Sequence, residues 1–348
     1  MAGLKSAAEE TGVLRLAPGL LISAALAIFA TFVAPFVEAF VPAPPLVIAL
    51  LMGIWLHPWA SRPLFAPGLR FCISRVLRIA IALLGLRVAL GDIAELGLFG
   101  ALVVVVAMVV TIVSGVFLAQ LLRLTRAFGA LAGMATGVCG ASAALATASV
   151  LPAYKGKEAD AVFVIIAVNL LSTIAMLTYP LIGRWAGFGD TQMGVLLGGT
   201  IHDVVQVVGA GYSVSDGVGA KSVIVKLFRV LMLLPVILVI GRLFASSGTQ
   251  AKVPVPVFAF AFLALCCLNS AMPLAPPLAP VYAELKSAAG FISHWGLLLA
   301  IASLGLSTSV ASVSKLGIRH ILTVTGTTLV ILAMVVLSLM LGDLVQSL

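Results

Sequence analysis

Apolar runs of about twenty residues, parted by short polar or basic breaks, follow one another from residue 17 to residue 342. A hydrocarbon core about 30 Å thick needs about 20 apolar residues per helix. On that rule spans lie near 17–38, 44–59, 72–90, 97–122, 127–153, 160–182, 191–212, 219–243, 253–272, 288–310 and 318–342. The expectation is an all-α membrane protein of about eleven transmembrane helices, with 1–348 as a single polytopic domain.

Composition agrees with the pattern. The chain of 348 residues is 62% hydrophobic and 9% charged, with a mean hydropathy of +1.24. A soluble domain carries roughly 25% charged residues, so the lipid bilayer is the expected solvent. The net charge of +8 does not point to nucleic acid, because the basic residues mostly flank the spans. Eleven of them (Lys5, Arg15, Arg62, Arg70, Arg123, Arg126, Arg184, Arg242, Lys252, Lys315 and Arg319) fall on the N-terminal side of an eleven-span topology. Four (Lys155, Lys157, Lys221 and Lys286) fall on the other side, and five lie within or near span ends. By the positive-inside rule this predicts an inner-membrane protein with a cytoplasmic N-terminus and an outside C-terminus. No cleavable signal peptide is expected, since the first run is long enough to span and no small-residue cleavage site closes it. Cys72, Cys139, Cys266 and Cys267 have neither metal-ligand nor redox spacing and read as packing residues.

Two features point beyond a plain bundle. Leu84-Gly85-Leu86 and Leu96-Gly97 recur 220 positions later as Leu304-Gly305-Leu306 and Leu316-Gly317. Seven spans separate the copies, so they have opposite orientation, as in the inverted repeats of secondary transporters. Two apolar stretches are also interrupted in one style, by Ala135–Ala143 and by Gly198–Gln206. Glycine weakens a helix, and unwound backbone is tolerated in a membrane only where protein or a cavity covers it. A half-helix that restarts there turns its free N–H groups and positive dipole end to the gap.

That makes Gly137, Cys139, Gly140, Ser142 and Thr200 candidates for an anion site, the two hydroxyls serving as caps or ligands. Small-residue helix packing is the alternative. Asp203 is the acid placed well inside an apolar span, where an ionisable group costs at least about 2.5–3.5 kcal/mol. It is a candidate coupling carboxylate, with His202 a second titrating group or a substrate donor. Gln206 shares the Asp203 face at i+3. Permanent pairing of Asp203 with a buried cation is the alternative reading. Lys226 and Arg229, also i,i+3, are candidate oxyanion ligands, against snorkelling to an interface. Asn169 and Asn269 are intramembrane amides, either interhelical contacts or ligands. Buried cations outnumber the buried acid, which favours an anion as cargo.

These residues carry a resemblance. Gly137-Val-Cys-Gly-Ala-Ser-Ala-Ala-Leu-Ala-Thr147, Gly199-Thr-Ile-His-Asp-Val-Val-Gln-Val-Val-Gly209, Lys226-Leu-Phe-Arg-Val-Leu-Met-Leu-Leu-Pro235, Asn269-Ser270 and Leu304-Gly-Leu-Ser-Thr308 resemble the YeiH-type sulfate exporter family, over essentially the whole chain. The resemblance implies the fold of the cation/proton antiporter and anion transporter superfamily, with a core domain of unwound crossing helices, a scaffold domain and often a homodimer. It also implies that Cys139, Gly140, Ser142, His202, Asp203, Gln206, Lys226 and Arg229 carry function.

The fifth and seventh spans also resemble each other, Gly137–Ala143 against Gly198–Val204 and Ala159–Val162 against Ala220–Val223. Two spans apart they point the same way, whereas inverted crossing helices must oppose. The likeness is accidental, or a re-entrant stretch alters the count, or the crossing partner is the tenth span near Ser307, Thr308 and Ser309. The expected function is secondary transport of a small anion such as sulfate, coupled to H+ or Na+. A passive channel and an intramembrane enzyme are the competing classes. The chain has no Walker, H-E-x-x-H or G-x-S-x-G sequence, so neither enzyme chemistry nor a cofactor is expected.

Overall fold

The computed structural model describes residues 2–38, 44–88, 90–95, 97–244, 257–274, 277, 279–308 and 317–346. Leu96, Lys252, Ser309, Lys315 and Leu316 lie outside them. The helices along the chain are α1 (Ala2–Glu38), α2 (Pro45–Ala60), α3 (Ala66–Phe71), α4 (Leu77–Leu84), α5 (Leu90–Glu95), α6 (Gly97–Leu121), α7 (Arg126–Met134), α8 (Ala141–Val150), α9 (Lys157–Trp185), α10 (Asp190–Thr200), α11 (Val204–Tyr212), α12 (Asp216–Leu231), α13 (Leu233–Leu243), α14 (Val257–Ala271), α15 (Ala279–Ser307) and α16 (Ile318–Gln346). π-Helical turns at Cys72–Val76 and Ala135–Cys139 follow α3 and α7. The protein is all-α among the described residues, and six helical stretches are each long and apolar enough to cross a membrane. None of the four cysteines forms a disulfide among the described residues.

The chain forms two compact units, one of residues 1–90 and 260–310, the other of 91–259 and 311–348. In the first unit close backbone contacts set the packing. α1 meets α3 at Gly19 and Gly68, and α2 meets α15 at Gly53 and Gly305. Ser23 and Ser303 share a 2.7 Å hydrogen bond across α1 and α15. α15 runs antiparallel to α4. Near its start Lys286 donates to Asn269, whose amide donates to Val88 O. Further along Ser293 donates to Ala80 O, and Ala302 and Leu306 close on Phe65 and Leu69. Asn269 is thus an interhelical contact. Arg75, Arg78 and Arg87 are exposed.

In the second unit the fifth and seventh expected spans do not cross; each turns back midway. α7 leaves a base at Thr125, whose hydroxyl caps the helix by accepting Phe128 N–H. Gly129, Gly133 and Gly137, one per turn, lie flat against Met108–Ala119 of α6, as small-residue faces allow. The chain reverses at Gly140 and returns through α8. Phe128, in the first turn of α7, is 6.0 Å from Phe163, in the second turn of α9. A continuous helix from 126 to 150 would part these ends by roughly 37 Å. Lys157 Nζ also donates to Leu151 O, and Tyr154 donates to Asp160. Burial and the Asp160 carboxylate push the Tyr154 phenol up, which keeps it a donor. His320 at the start of α16 faces Asp160 at 3.7 Å and meets Phe128 edge-on at 4.6 Å.

The second hairpin, α10 and α11, has its base at the far end of α9. Gly183 of α9 packs against Met193. Lys221 of α12 donates to Thr191 at the start of α10 (2.8 Å), while Gly219 lies against Tyr212 at the end of α11. Both ends of this hairpin therefore lie beside the first turns of α12. α9 itself is unbroken for 29 residues, roughly 43 Å at 1.5 Å per residue, so the hairpins enter from opposite ends of the unit. α12 and α13 lead back to the first base, where Gly241 faces Val150. α16 runs the other way, from Phe128 past Gly199.

The first hairpin changes the end at which the basic residues fall. Lys155 and Lys157 share an end with Arg123 and Arg126, and Arg184 belongs to the other. In a cysteine-free background, L124C and K155C should label from one face of the membrane with an impermeant maleimide, and F188C and V214C from the opposite face. Labelling of L124C and K155C from opposite faces would restore the crossing topology.

Candidate functional site

The tips of the two hairpins meet. A Cβ built on Gly140 would lie 3.4 Å from His202 O and 3.8 Å from Asp203 Cβ. Gly140 has φ 63 and ψ −129, a combination open essentially to glycine alone. This residue both ends the π turn and serves as N-cap of α8.

Every break in a helix leaves carbonyls behind it and N–H groups ahead of it without partners. Here the carbonyls are gathered by two cations from α12. Lys226 Nζ donates to Val138 O (2.9 Å), Ile201 O (3.0 Å) and His202 O. Arg229 Nε and Nη2 donate to Gly137 O, Nη2 also to Thr136 O, and Nη1 to Gly198 O and Ile201 O, all at 2.8–3.1 Å. These eight bonds use the three ammonium and five guanidinium protons. Both side chains are fully buried, and among the described residues neither forms a salt bridge. The cations thus face the negative ends of α7 with its π turn and of α10, where positive charge is favoured. Lys226 does not snorkel, and in this conformation neither residue has a donor left for a ligand.

The N–H ends are treated unequally. Asp203 caps α11, accepting Val205 N–H at 2.9 Å. α8 has no side-chain cap. Ser142, in its first turn, is exposed and Asp203 is half-buried, so both remain approachable. Thr200 spends its hydroxyl on Leu196 O within its own helix. His202 Nδ1 faces Thr136 O at 3.2 Å and Nε2 faces Thr328 Oγ1 at 3.0 Å. A carbonyl only accepts, so Nδ1 carries the proton in the neutral ring, while the one proton of the Thr328 hydroxyl lies between Nε2 and Val324 O, 2.9 Å away. Cys139 is buried in the π turn.

The structure therefore brings together Gly137, Cys139, Gly140, Thr200, His202, Asp203, Gln206, Lys226 and Arg229, with Ser142 at the rim. Ser307 and Thr308 belong to the first unit at the end of α15, where the Thr308 hydroxyl bonds Leu304 O. Sequence reasoning missed Ser172, which accepts Asp203 N–H at 3.1 Å, and Thr328. Asn169 and Ser172 form an i,i+3 polar pair in an apolar helix, and that was the available signal. Asn169 accepts from Gln206 Nε2 at 2.9 Å.

A family model described as conserved hypothetical protein 698 matches residues 18–324. A UPF0324 membrane protein of Chlorobaculum tepidum is 37% identical over 308 residues, 86% of this chain and 82% of the relative. The UPF0324 membrane protein TauZ of Paracoccus denitrificans is 39% identical over 307 residues, 86% and 88% of the two chains. A UPF0324 membrane protein of Rhizobium meliloti is 40% identical over 307 residues, 86% of each. No solved structure matches the chain.

Arg229→Lys leaves at least two of the five guanidinium bonds unmade, at about 1–3 kcal/mol for each carbonyl that loses its only donor, and Thr136 O and Gly198 O have no other donor among these two cations. Gly140→Ala adds backbone strain of about 1–3 kcal/mol. Thermal unfolding of the purified protein should show both variants clearly destabilised. An Arg229→Lys variant as stable as wild type would show that the guanidinium is not the clamp.

Proposed function

The chain belongs to the UPF0324 family of membrane proteins, the YeiH-type family of its motifs, and from that premise we propose that it is a secondary transporter of a small anion. The observation that carries this reading is the meeting of two half-depth hairpins, entering from opposite ends, at one buried and positively charged point. Such an arrangement supplies a site near the membrane midplane with a separate gate toward each side. The uncapped N-terminus of α8 offers free N–H groups to an oxyanion. Lys226 and Arg229 add positive charge without competing for the ligand, since their protons are already placed. Sulfate, sulfite, a sulfonate or bicarbonate all suit these donors. Asp203, beside Gly140, is placed to carry coupling to H+ or Na+. Both His202 nitrogens are engaged away from Ser142 and Cys139, which supports transport over an intramembrane nucleophile set.

The hairpins also bear on symmetry and orientation. Gly137–Ala143 with Ala159–Val162 resembles Gly198–Val204 with Ala220–Val223, and each set is one hairpin tip plus the helix that follows it. α9 and α12 leave opposite ends of the unit, so the two sets form an inverted pair in our reading. The Leu-Gly-Leu copies likewise fall at the ends of two antiparallel helices, the first at the end of α4 and the 3-10 turn Gly85–Arg87 that follows it, the second near the end of α15. In the second unit Arg123, Arg126, Lys155, Lys157, Arg242 and Arg319 lie at the base of the first hairpin, against Arg184 and Lys221 at the other end. We place the basic end in the cytoplasm of a bacterial inner membrane. α16 runs away from that end, so the C-terminus is outside. In the first unit Arg15, Arg62 and Arg70 share one end, which puts the N-terminus inside.

Proteoliposomes preloaded with unlabelled sulfate should accumulate labelled sulfate by exchange, and Asp203→Asn should abolish uptake driven by a cation gradient. Folded wild-type protein that exchanges none of sulfate, sulfite, sulfonates or bicarbonate would overturn the anion reading.

A further inference from the structure

We propose that Asn169, Ser172, Asp203 and Gln206 form a binding site for a monovalent cation, and that the ion is Na+. The inference rests on the transport reading only in making this ion the coupling ion.

The argument starts from a capping pattern that is not completed. Asp203 is the N-cap of α11 and Gln206 occupies the third helical position. In a capping box a glutamine there reaches back and accepts the N–H of the capping residue. Here the Asp203 N–H goes instead to Ser172 Oγ on α9. Gln206 turns to the same helix and donates its Nε2 to Asn169 Oδ1. Its Oε1 is left fully buried with no partner. A buried carbonyl oxygen without a donor is costly and calls for an explanation such as an ion.

The surroundings say which kind of ligand satisfies it. Asn169 and Ser172 on α9 face Gln206 and Asp203 on α11, two i,i+3 pairs matched rung to rung. The oxygens on these rungs come from a carboxylate, two amides and a hydroxyl. Among the described residues there is no group of three His, Cys, Asp or Glu that could hold a metal. Hard oxygen ligands with one negative charge suit a hard cation of low charge, not a transition metal. The charge balance points the same way. Lys226 and Arg229 lie close by, so a divalent ion would meet strong repulsion, whereas a single charge is matched by Asp203. Beyond the Val205 N–H that it caps, the carboxylate is not paired with Lys226 or Arg229, whose protons all go to carbonyls.

The same positive surroundings weaken an empty-handed cation site. Na+ and the transported anion should therefore strengthen each other, and by linkage the effect is reciprocal. That mutual dependence is what coupling requires.

The test uses the purified full chain, titrated with NaCl against KCl and choline chloride at constant chloride, with and without sulfate, following thermal unfolding and 22Na+ binding. We expect saturable stabilisation by Na+ alone among the three salts, enhanced by sulfate. Gln206→Leu should raise the half-saturating Na+ concentration about tenfold or more, and Asp203→Asn should abolish the response. Ser172→Ala, which keeps a small residue on α9, serves as a milder variant if either of these fails to fold; it should weaken the response. No Na+-specific response in folded wild type, or an unchanged one in Gln206→Leu, would overturn the site. Anion exchange that is indifferent to Na+ and driven by a pH gradient would also overturn it while leaving the transport reading intact. Na+ binding without any anion exchange would retain the site and sink the transport reading.

Discussion

Interrupting a helix inside a membrane exposes carbonyl groups where no water can take them, and the cost of each orphan is several kcal/mol in hydrocarbon. This protein interrupts two helices at nearly the same point and closes both accounts with two side chains from one helix. Lys226 and Arg229 are three residues apart on α12, so both reach the same place from one rigid element. Between them they satisfy carbonyls of six residues on the two hairpins. Each hairpin reverses where its carbonyls meet these donors. Burying two cations is itself expensive, and dense carbonyl coordination makes the arrangement tolerable.

The unequal treatment of the helix ends follows from the clamp. With the carbonyl ends neutralised by cations, what remains at the tips is the positive character of α8 and α11. α11 brings its own carboxylate as a cap; α8 brings none, because its N-cap is a glycine forced there by the backbone. The result is an approachable donor surface next to a half-buried acid. On the proposed reading, an anion and a coupling cation would share this one small volume.

The hairpins differ in what holds them. The first rests its glycine face on α6, and the second lies between α9 and α12. Each is anchored at its base by polar contacts that are not repeated at its tip: Thr125, Lys157 and Asp160 for the first, and Lys221 with Thr191 for the second. The tips are held instead by the carbonyl bonds from Lys226 and Arg229 of α12.

Much of this was written in the chain. Runs of apolar residues dictate an all-α membrane protein because the bilayer admits nothing else of such composition. The glycine clusters and the acid at 203 mark where helices break, since glycine and an intramembrane charge are both costly without a reason. What hydropathy cannot read is direction: a hairpin of two half-helices and one crossing helix have the same length and the same apolarity. On hydropathy alone the fifth and seventh stretches therefore count as spans, and their likeness conflicts with opposed orientation. Only long-range contacts, such as Phe128 with Phe163 and Thr191 with Lys221, reveal that each chain segment returns to the side it came from. In the same way the sequence displays Lys226 and Arg229 as free donors for an anion. Tertiary structure alone decides that their protons are already committed to carbonyls, because those carbonyls lie up to 93 residues away and become orphaned only when the hairpins form.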